Sequence, residues 1–350
     1  FILPFTPLHL LLFEPEVDFP EVLDMTSGNI ADESIAYKDE DAIERLSPIV
    51  DGFLVHNREI NIRVDDSVLR VFENSSYFVR RSRGFAPEPI RINENLPDIL
   101  ACGAELKNTF SLSKNKYVFI SHHIGDLENY ETLQSFENGI NHYQKLFRVS
   151  PQIIAADLHP DYLSTKYAIE RAESTNTQLI RVQHHHAHLA ACLADNNFST
   201  NENVIGCIFD GTGYGSDGKI WGGEILTGSF QEFTRTLHLN ELPLPGGNSS
   251  IKNPAKIAIS YLHEADIELG NDLPPVNEFS SSHLSTIISQ VKTGINSPLT
   301  TSMGRLFDAV ASILGIRQSV SYEAQAAIEL ENLCDPDEKA KYSFELSDKE

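Results

Sequence analysis

A chain of 350 residues with 41% apolar and 22% charged residues is long enough for two or three domains with real cores. Its 27 Lys and Arg against 50 Asp and Glu leave a formal charge of −23, which repels phosphate backbones and anionic lipid and so disfavours nucleic acid and membrane surfaces as partners. No apolar run reaches the ~18 residues of a membrane span, and the dispersed Cys102, Cys192, Cys207 and Cys334 lack the spacing of a disulfide framework or zinc ribbon, which predicts reduced thiols in a cytosolic protein.

The opening FILPFTPLHLLLF has no basic flank or small-residue cleavage site, so it is a poor signal peptide; without an initiator Met, it predicts a chain that begins inside a domain. Residues 1–92 read as one unit. A helix is expected over 6–13 after Pro7, a strand over 21–27 ending in the turn Ser27-Gly28-Asn29, and an amphipathic helix over 39–46. Strands are expected at 52–55 and 67–72, followed by the basic cluster Arg80, Arg81 and Arg83. The proline-rich stretch 86–89 and the polar stretch 93–97 read as a linker.

A second architecture fills residues 93–350. Strands are expected at 99–102, 109–112 and 117–121, and a similar hairpin recurs at 204–209 and 220–226. That recurrence predicts two halves dividing near residue 200. Helices are expected at 133–147, 162–174, 254–264, 304–314 and 323–333, with a buried strand at 153–157 and a polar loop from 270 to 301.

The chemistry concentrates in VQHHHAHLAACLAD (182–195) and DGTGYGSDGKIWGGE (210–224). On a helix His184 and His188 lie one turn apart on one face and can reach a single divalent ion, while His185 and His186 are expected to point elsewhere. Core or surface histidines would show the same spacing. Asp210, closing a strand, is the best oxygen ligand to complete such a site. Gly211, Gly213, Gly215 and Gly218 would let backbone N–H groups approach an anion, although Asp-Gly turns are also ordinary hairpin tips. The paired glycines of Trp221-Gly222-Gly223-Glu224 favour close approach. Met25-Thr26-Ser27-Gly28-Asn29 is either a phosphate-binding tip or a capped turn, with Arg63 and Ser67 nearby in sequence.

These segments resemble the HypF carbamoyltransferases of [NiFe]-hydrogenase maturation. The resemblance runs through SHHIGDLENYET, ADLHPDYLST, LPLPGGN, SMGRLFDAVASILG and SYEAQAAIELE, and upstream through LPFTPLHLLL, MTSGNIADESI, DGFLVHNREINIRVDDSVLR and RRSRGFAPEPI. It implies an α/β protein in which an α+β remnant, the C-terminal part of a YrdC-like domain (1–92), precedes a TsaD-like domain (93–350). The latter is built from two RNase H-like halves of the actin/Hsp70/sugar-kinase class. By the same resemblance, an acylphosphatase domain, zinc-finger pairs and the start of the YrdC-like domain would precede Phe1, and a further aspartate ligand would follow Glu350. The chain departs from the family pattern at Asn248, where an acidic residue is common, and over Asn253, Pro254, Ala255 and Lys256, where Glu-Pro-Trp-Arg is usual.

The implied reaction is ATP-dependent transfer of a carbamoyl group from carbamoyl phosphate, through a carbamoyl-adenylate, to the C-terminal cysteine of HypE in the cytoplasm. Ser27, Asn29, Arg63 and Ser67 would hold ATP and the adenylate, with Mg2+ as a further cofactor. His184, His188 and Asp210 would be catalytic as metal ligands, for Fe2+ ahead of Zn2+. Gly211, Gly213 and Gly223 would line the phosphate cradle, and Asp308 would meet the nucleotide ribose. The competing expectations are a tRNA threonylcarbamoyl-transfer component, a small-molecule O-carbamoyltransferase, and an inactive HypE-binding scaffold.

Overall fold

The computed structural model describes residues 3–4, 6–14, 20–30 and 35–347, so residues 31–34 of the MTSGNIADESI motif lie outside the description. The chain forms two compact units. One combines Phe1–Glu88 with Glu105–Thr109 and Ser121–Arg148, and the other combines Pro89–Ala104, Phe110–Ile120 and Val149–Glu350.

In the first unit, α1 (Pro7–Leu12) starts at Thr6, whose hydroxyl accepts the His9 N–H, with Pro7 at the first helical position. Helix α2 (Asp39–Leu46) carries Asp39, Glu40 and Asp41 in its first turn and Arg45 in its last, which complements the helix dipole, and Arg45 also pairs with Asp41 at 2.7 Å. Strands β1 (Val68–Phe72) and β2 (Ser75–Arg80) form a hairpin whose two-residue turn, Glu73-Asn74, has φ of 47° and 61°. Helix α3 (Tyr130–Phe147) is capped by Asn129 and buries Phe136, Ile140 and Tyr143. No strand forms at 21–27 or 52–55. Their apolar residues, such as Val22 and Leu54, are exposed and pair with no ladder among the described residues, so β propensity there has nothing to pack against.

The second unit contains two sheets. In the first, β3 (Ile90–Ala101) pairs antiparallel with β4 (Ser111–Ile120). Strand β5 (Ile153–Asp157) adds to β3 in parallel, and after α4 (Leu163–Thr175) β6 (Gln178–Val182) adds to β5, giving the order β4-β3-β5-β6. The expected linker at 93–97 is therefore part of β3, and the pieces expected at 109–112 and 117–121 are one strand, β4. The misreading has a cause in Pro97, which lacks an N–H and breaks the ladder. The Ser113 hydroxyl bridges the gap, donating to the Pro97 carbonyl at 2.7 Å and accepting the Ile99 N–H at 3.0 Å. Strand β6 escaped the sequence reading because its alternation, QLIRV, is short and only half-buried.

After α5 (His184–Asp195), β7 (Val204–Tyr214) and β8 (Ile220–Gly228) form the second hairpin. Strand β9 (Phe233–His238) pairs antiparallel with β8; the short β10 (Leu242–Pro243) pairs with β11 (Leu299–Thr300), which runs parallel to β8. Each half thus opens on an antiparallel pair, and the halves then differ. The first adds two parallel strands, whereas the second adds three: β9 antiparallel to β8, the short β11 parallel to it, and β10 antiparallel to β11. Between β10 and β11 lie α6 (Asn248–Ile251), α7 (Pro254–Glu264), α8 (Pro274–Asn277) and α9 (Ser281–Thr293), and α10 (Met303–Ile313) and α11 (Gln325–Glu331) follow. The expected polar loop at 270–301 contains α9. Its serine-rich sequence hides an inner face that buries Ile287 and Val291, and Ser280 caps its start. Leu189 and Leu193, one turn apart on α5, pack on Ile208 and Leu226 and fix that helix on the second hairpin. Among the described residues no helix is long and apolar enough to cross a membrane.

Candidate functional site

Strand β6 delivers the chain to Gln183, whose side-chain oxygen accepts the His186 N–H at 2.8 Å and starts α5. The first turn of the helix then presents its imidazoles to the second hairpin. His184 and His188 sit with their Nε2 atoms 3.3 Å apart. Opposite them, β7 carries three residues between Phe209 and Gly213 where β8 has only Gly222, and this bulge presents Asp210. Asp210 Oδ2 lies 3.3 Å from His184 Nε2 and 3.9 Å from His188 Nε2, and ligand atoms of all three residues fall within 4.8 Å of one another. Asp210 Oδ1 accepts the Gly211 N–H at 2.6 Å, whereas Oδ2 is buried with no hydrogen-bond partner. Two imidazoles and an orphaned carboxylate oxygen suit a divalent transition metal.

Asp157, at the end of β5, holds His184 from behind, with Oδ2 2.7 Å from His184 Nδ1. Sequence reasoning missed this role, although a carboxylate at the last position of a buried strand, in ADLHPD, was its signal. Burial opposes protonation of His184, but the hydrogen bond to Asp157 and the nearby Asp210 carboxylate outweigh it and raise the pKa to about 9. For Asp210 burial pushes upward, and the adjacent His184 overrides it, leaving the carboxyl below its usual range. His188 is lowered by burial and then by the neighbouring His184.

His185 does not point elsewhere. It is fully buried, its Nε2 is 3.6 Å from Asp210 Oδ2, and burial lowers its pKa to about 4. His186 does leave the site, directing Nε2 to the Ser229 carbonyl at 2.9 Å.

The expected glycine cradle divides. Gly211 faces open space. A Cβ at Gly213 would overlap His185 Cε1 and come within 2.8 Å of His184 Cδ2, so this glycine seats the imidazoles. At Gly223 the missing side chain makes room for the Thr301 carbonyl and Leu239, which is a packing role and no ligand surface. Replacing Gly213 with Ala is therefore expected to push both rings aside. We expect a loss of about 1–3 kcal/mol in unfolding stability and a Zn2+ affinity weakened by roughly 10–100-fold. Unchanged values in a thermal melt and a chelator-competition titration would show that the rings do not need this space.

Behind the hairpin, Glu224 is fully buried. It accepts the Gly222 N–H at 3.0 Å, the Thr301 hydroxyl, and Arg235 Nε at 2.6 Å. Arg235 stacks on Trp221 with its guanidinium carbon 4.0 Å from the ring centroid. Asp308 is also buried, in an ion pair 2.8 Å from Arg305, and burial raises its pKa. It is thus engaged with Arg305, not displayed to a nucleotide.

In the first unit a cavity of about 2030 Å3 is lined by Ser27, Asn29, Arg63, Asp65, Arg80 and His123 among others. The Ser27 hydroxyl donates to the Asn29 side chain. Arg63 is buried and already donates to Ser135 Oγ at 3.0 Å and to the Ile124 carbonyl at 2.6 Å. Ser67 does not line the cavity. Its hydroxyl accepts the Ser82 N–H and donates to the Arg83 carbonyl, both at 2.8 Å, so it holds a turn.

Family models match nearly the whole chain. One described as telomere recombination, of the Sua5, YciO and YrdC group, matches residues 1–82; the HypF Kae1-like domain matches 94–195; and the second subdomain of the carbamoyltransferase Kae1-like domain matches 206–350. Carbamoyltransferase HypF2 of Cupriavidus necator is 39% identical over 349 residues, covering 95% of this chain and 42% of that protein. Carbamoyltransferase HypF of Synechocystis sp. is 40% identical, with 100% and 46% covered. Among solved structures, full-length HypF in its phosphate- and nucleotide-bound form superposes with a TM-score of 0.90 at 43% identity, covering 99% of this chain and 54% of that one. HypF of T. kodakarensis gives 0.80 at 36%, covering 88% and 41%. The chain thus spans about half the length of these relatives, or less. With a YrdC-like region followed by a Kae1-like domain in α/β folds, it belongs to the HypF carbamoyltransferase family.

Proposed function

We propose that this chain serves ATP-dependent carbamoyl transfer in [NiFe]-hydrogenase maturation. Carbamoyl phosphate is hydrolysed to carbamate and phosphate, the carbamate oxygen attacks the α-phosphate of ATP to give carbamoyl-adenylate and pyrophosphate, and the C-terminal cysteine thiolate of HypE takes the carbamoyl group with release of AMP. The observation that carries this reading is the convergence of His184, His188 and Asp210 in a Kae1-like domain of that family. A divalent metal, iron ahead of zinc, would be held by His184 Nε2, His188 Nε2 and Asp210 Oδ2, and when bound it polarises a carbamoyl or phosphoryl oxygen.

The chain's own residues prepare that position. Asp157 accepts the Nδ1 proton of His184 and turns its Nε2 toward Asp210. Ser302 donates to the Gly211 carbonyl at 2.7 Å and caps α10, which fixes the bulge that bears Asp210. In the first unit, Ser27 and Asn29 offer hydroxyl and amide groups to ATP and its Mg2+ at the cavity wall. The absence of a long apolar helix among the described residues, together with free Cys192, Cys207 and Cys334, supports a cytoplasmic setting.

The chain incubated with ATP, Mg2+, Fe2+, carbamoyl phosphate and HypE tests the reading. We expect pyrophosphate release that requires carbamoyl phosphate, and a carbamoyl increment on the HypE C-terminal peptide by mass spectrometry. Modification of tRNA or of a small hydroxylated acceptor, with HypE left bare, would overturn it. A stable complex with HypE and no pyrophosphate release would reduce the chain to a scaffold.

A further inference from the structure

His185 and His186 are the two imidazoles of the HHHAH run that the metal reading leaves without a task; His186 turns away to the Ser229 carbonyl, whereas His185 stays in the site and is the most buried of the four. Its Nε2 and Asp210 Oδ2 face each other across 3.6 Å, longer than a hydrogen bond; neither atom makes a hydrogen bond, and Asp210 Oδ2 otherwise has only His184 Nε2 at 3.3 Å and His188 Nε2 at 3.9 Å beside it. The other side of the ring settles where its proton lies. Gln183 accepts the His186 N–H through Oε1 at 2.8 Å, which leaves its Nε2 to donate to the Tyr214 carbonyl at 3.2 Å and to His185 Nδ1, also at 3.2 Å. An amide nitrogen can only donate, so His185 Nδ1 accepts, and the ring proton must sit on Nε2.

We propose that Gln183 fixes His185 as the neutral Nε2–H tautomer, and that His185 is a positioning residue whose Nε2–H holds Asp210 Oδ2 beside His184 and His188. Neighbouring histidines thereby take opposite roles. His184 directs Nδ1 back to Asp157 and its Nε2 into the site, whereas His185 directs a proton into the site. The alternative, in which His185 Nε2 offers a lone pair as a further ligand, needs Nδ1 to donate to Gln183. Gln183 presents its nitrogen and not its oxygen to Nδ1, and turning the amide over would set an N–H against the His186 N–H and an oxygen against the Tyr214 carbonyl. Gly213 supports the same arrangement, because the space of its absent side chain is filled by the His185 ring.

The inference rests on the metal reading of His184, His188 and Asp210, and the test separates the two. Chelator-competition titration with Zn2+ would be run on the chain and on His184→Ala, His185→Ala, His185→Gln and Gln183→Glu, each checked for native circular dichroism. We expect His185→Ala to weaken Zn2+ by roughly 10–100-fold, as loss of an outer-shell partner does. His185→Gln, which keeps an N–H donor, should recover most of that loss. Gln183→Glu still accepts the His186 N–H but removes the donor to Nδ1, so it should weaken binding as His185→Ala does.

A long-range 15N–1H spectrum of the metal-free chain reads the tautomer without any metal and without a substitution. The Nε2–H form of His185 is expected, and the Nδ1–H form would overturn the proposal even if a variant failed to fold. Equal losses in His185→Gln and His185→Ala would overturn the donor role, as would unchanged affinity in His185→Ala. In the last case, a collapse of binding in His184→Ala leaves the metal reading standing; its persistence there removes that reading instead.

Discussion

His184→Ala and Asp210→Asn are expected to abolish tight metal binding, with losses beyond the roughly 10–100-fold typical of outer-shell substitutions, because each removes a ligand atom from a set of three. The two variants fail for different reasons. His184→Ala deletes a donor and leaves Asp157 without its 2.7 Å partner. Asp210→Asn keeps the shape and can still accept the Gly211 N–H, but it replaces the carboxylate charge that offsets a divalent ion. His186→Ala is the control. Its imidazole bonds the Ser229 carbonyl on the far side, so metal content should stay at the parent level. Elemental analysis after loading with Fe2+ or Zn2+ reads all three, and full metal content in His184→Ala and Asp210→Asn would dismantle the site. Carbamoyl transfer should fall with metal content and not independently of it.

How much of this site the sequence discloses depends on the range of the contacts. The His184–His188 pair and the strand-end Asp210 follow from helical spacing and a buried run that stops at a carboxylate, both local patterns. Asp157 ends a buried strand at a carboxylate just as Asp210 does, but that it holds an imidazole follows only from a contact across the first sheet, and Gln183 reads as an ordinary helix cap. His185 was set aside because periodicity places it off the His184–His188 face. At the first turn of α5, however, the bulge of β7 wraps round the helix end and meets both faces. The glycines misled in the other direction. Small residues announce close approach but not what approaches, and at Gly213 and Gly223 the neighbour is the protein itself. The chemistry of Ser67 and Arg63 suits a ligand, yet backbone carbonyls far along the chain claim both. The fold shows the same division. Helices α2 and α7 and strand β5 match the sequence reading residue for residue, while β4 was split and α9 missed because their hydrophobic faces depend on partners distant in the chain.

Arg235→Met should produce the largest loss of stability among single changes near the site, about 3–5 kcal/mol, the range for stranding one partner of a buried ion pair. Met keeps an unbranched stem of similar bulk but removes the guanidinium that lies over Trp221, so the loss combines the ion pair with the cation–π contact. The partner left behind is Glu224, which is fully buried and depends on Arg235 Nε at 2.6 Å, with the Thr301 hydroxyl and the Gly222 and Gly223 N–H groups as its remaining donors. The pH dependence distinguishes this cause from a packing defect. In the parent chain, burial pushes the Glu224 pKa up but the bonds to Arg235 and Thr301 hold it below the usual carboxylate range. A carboxyl whose folded pKa is depressed stabilises the fold above its unfolded value, and that contribution fades as pH falls through the folded pKa. Without Arg235, burial prevails and the folded pKa rises above the unfolded one. The carboxylate then destabilises the fold at neutral pH, and protonation relieves it as pH falls through the raised value. The stability gap between parent and variant should therefore shrink steadily from pH 7 toward pH 4.5, and Glu224→Gln in the Arg235→Met background should recover part of it at pH 7. Urea midpoints across that range measure the gap; a gap independent of pH, unrelieved by Glu224→Gln, would mean that Arg235 stabilises the hairpin by stacking alone.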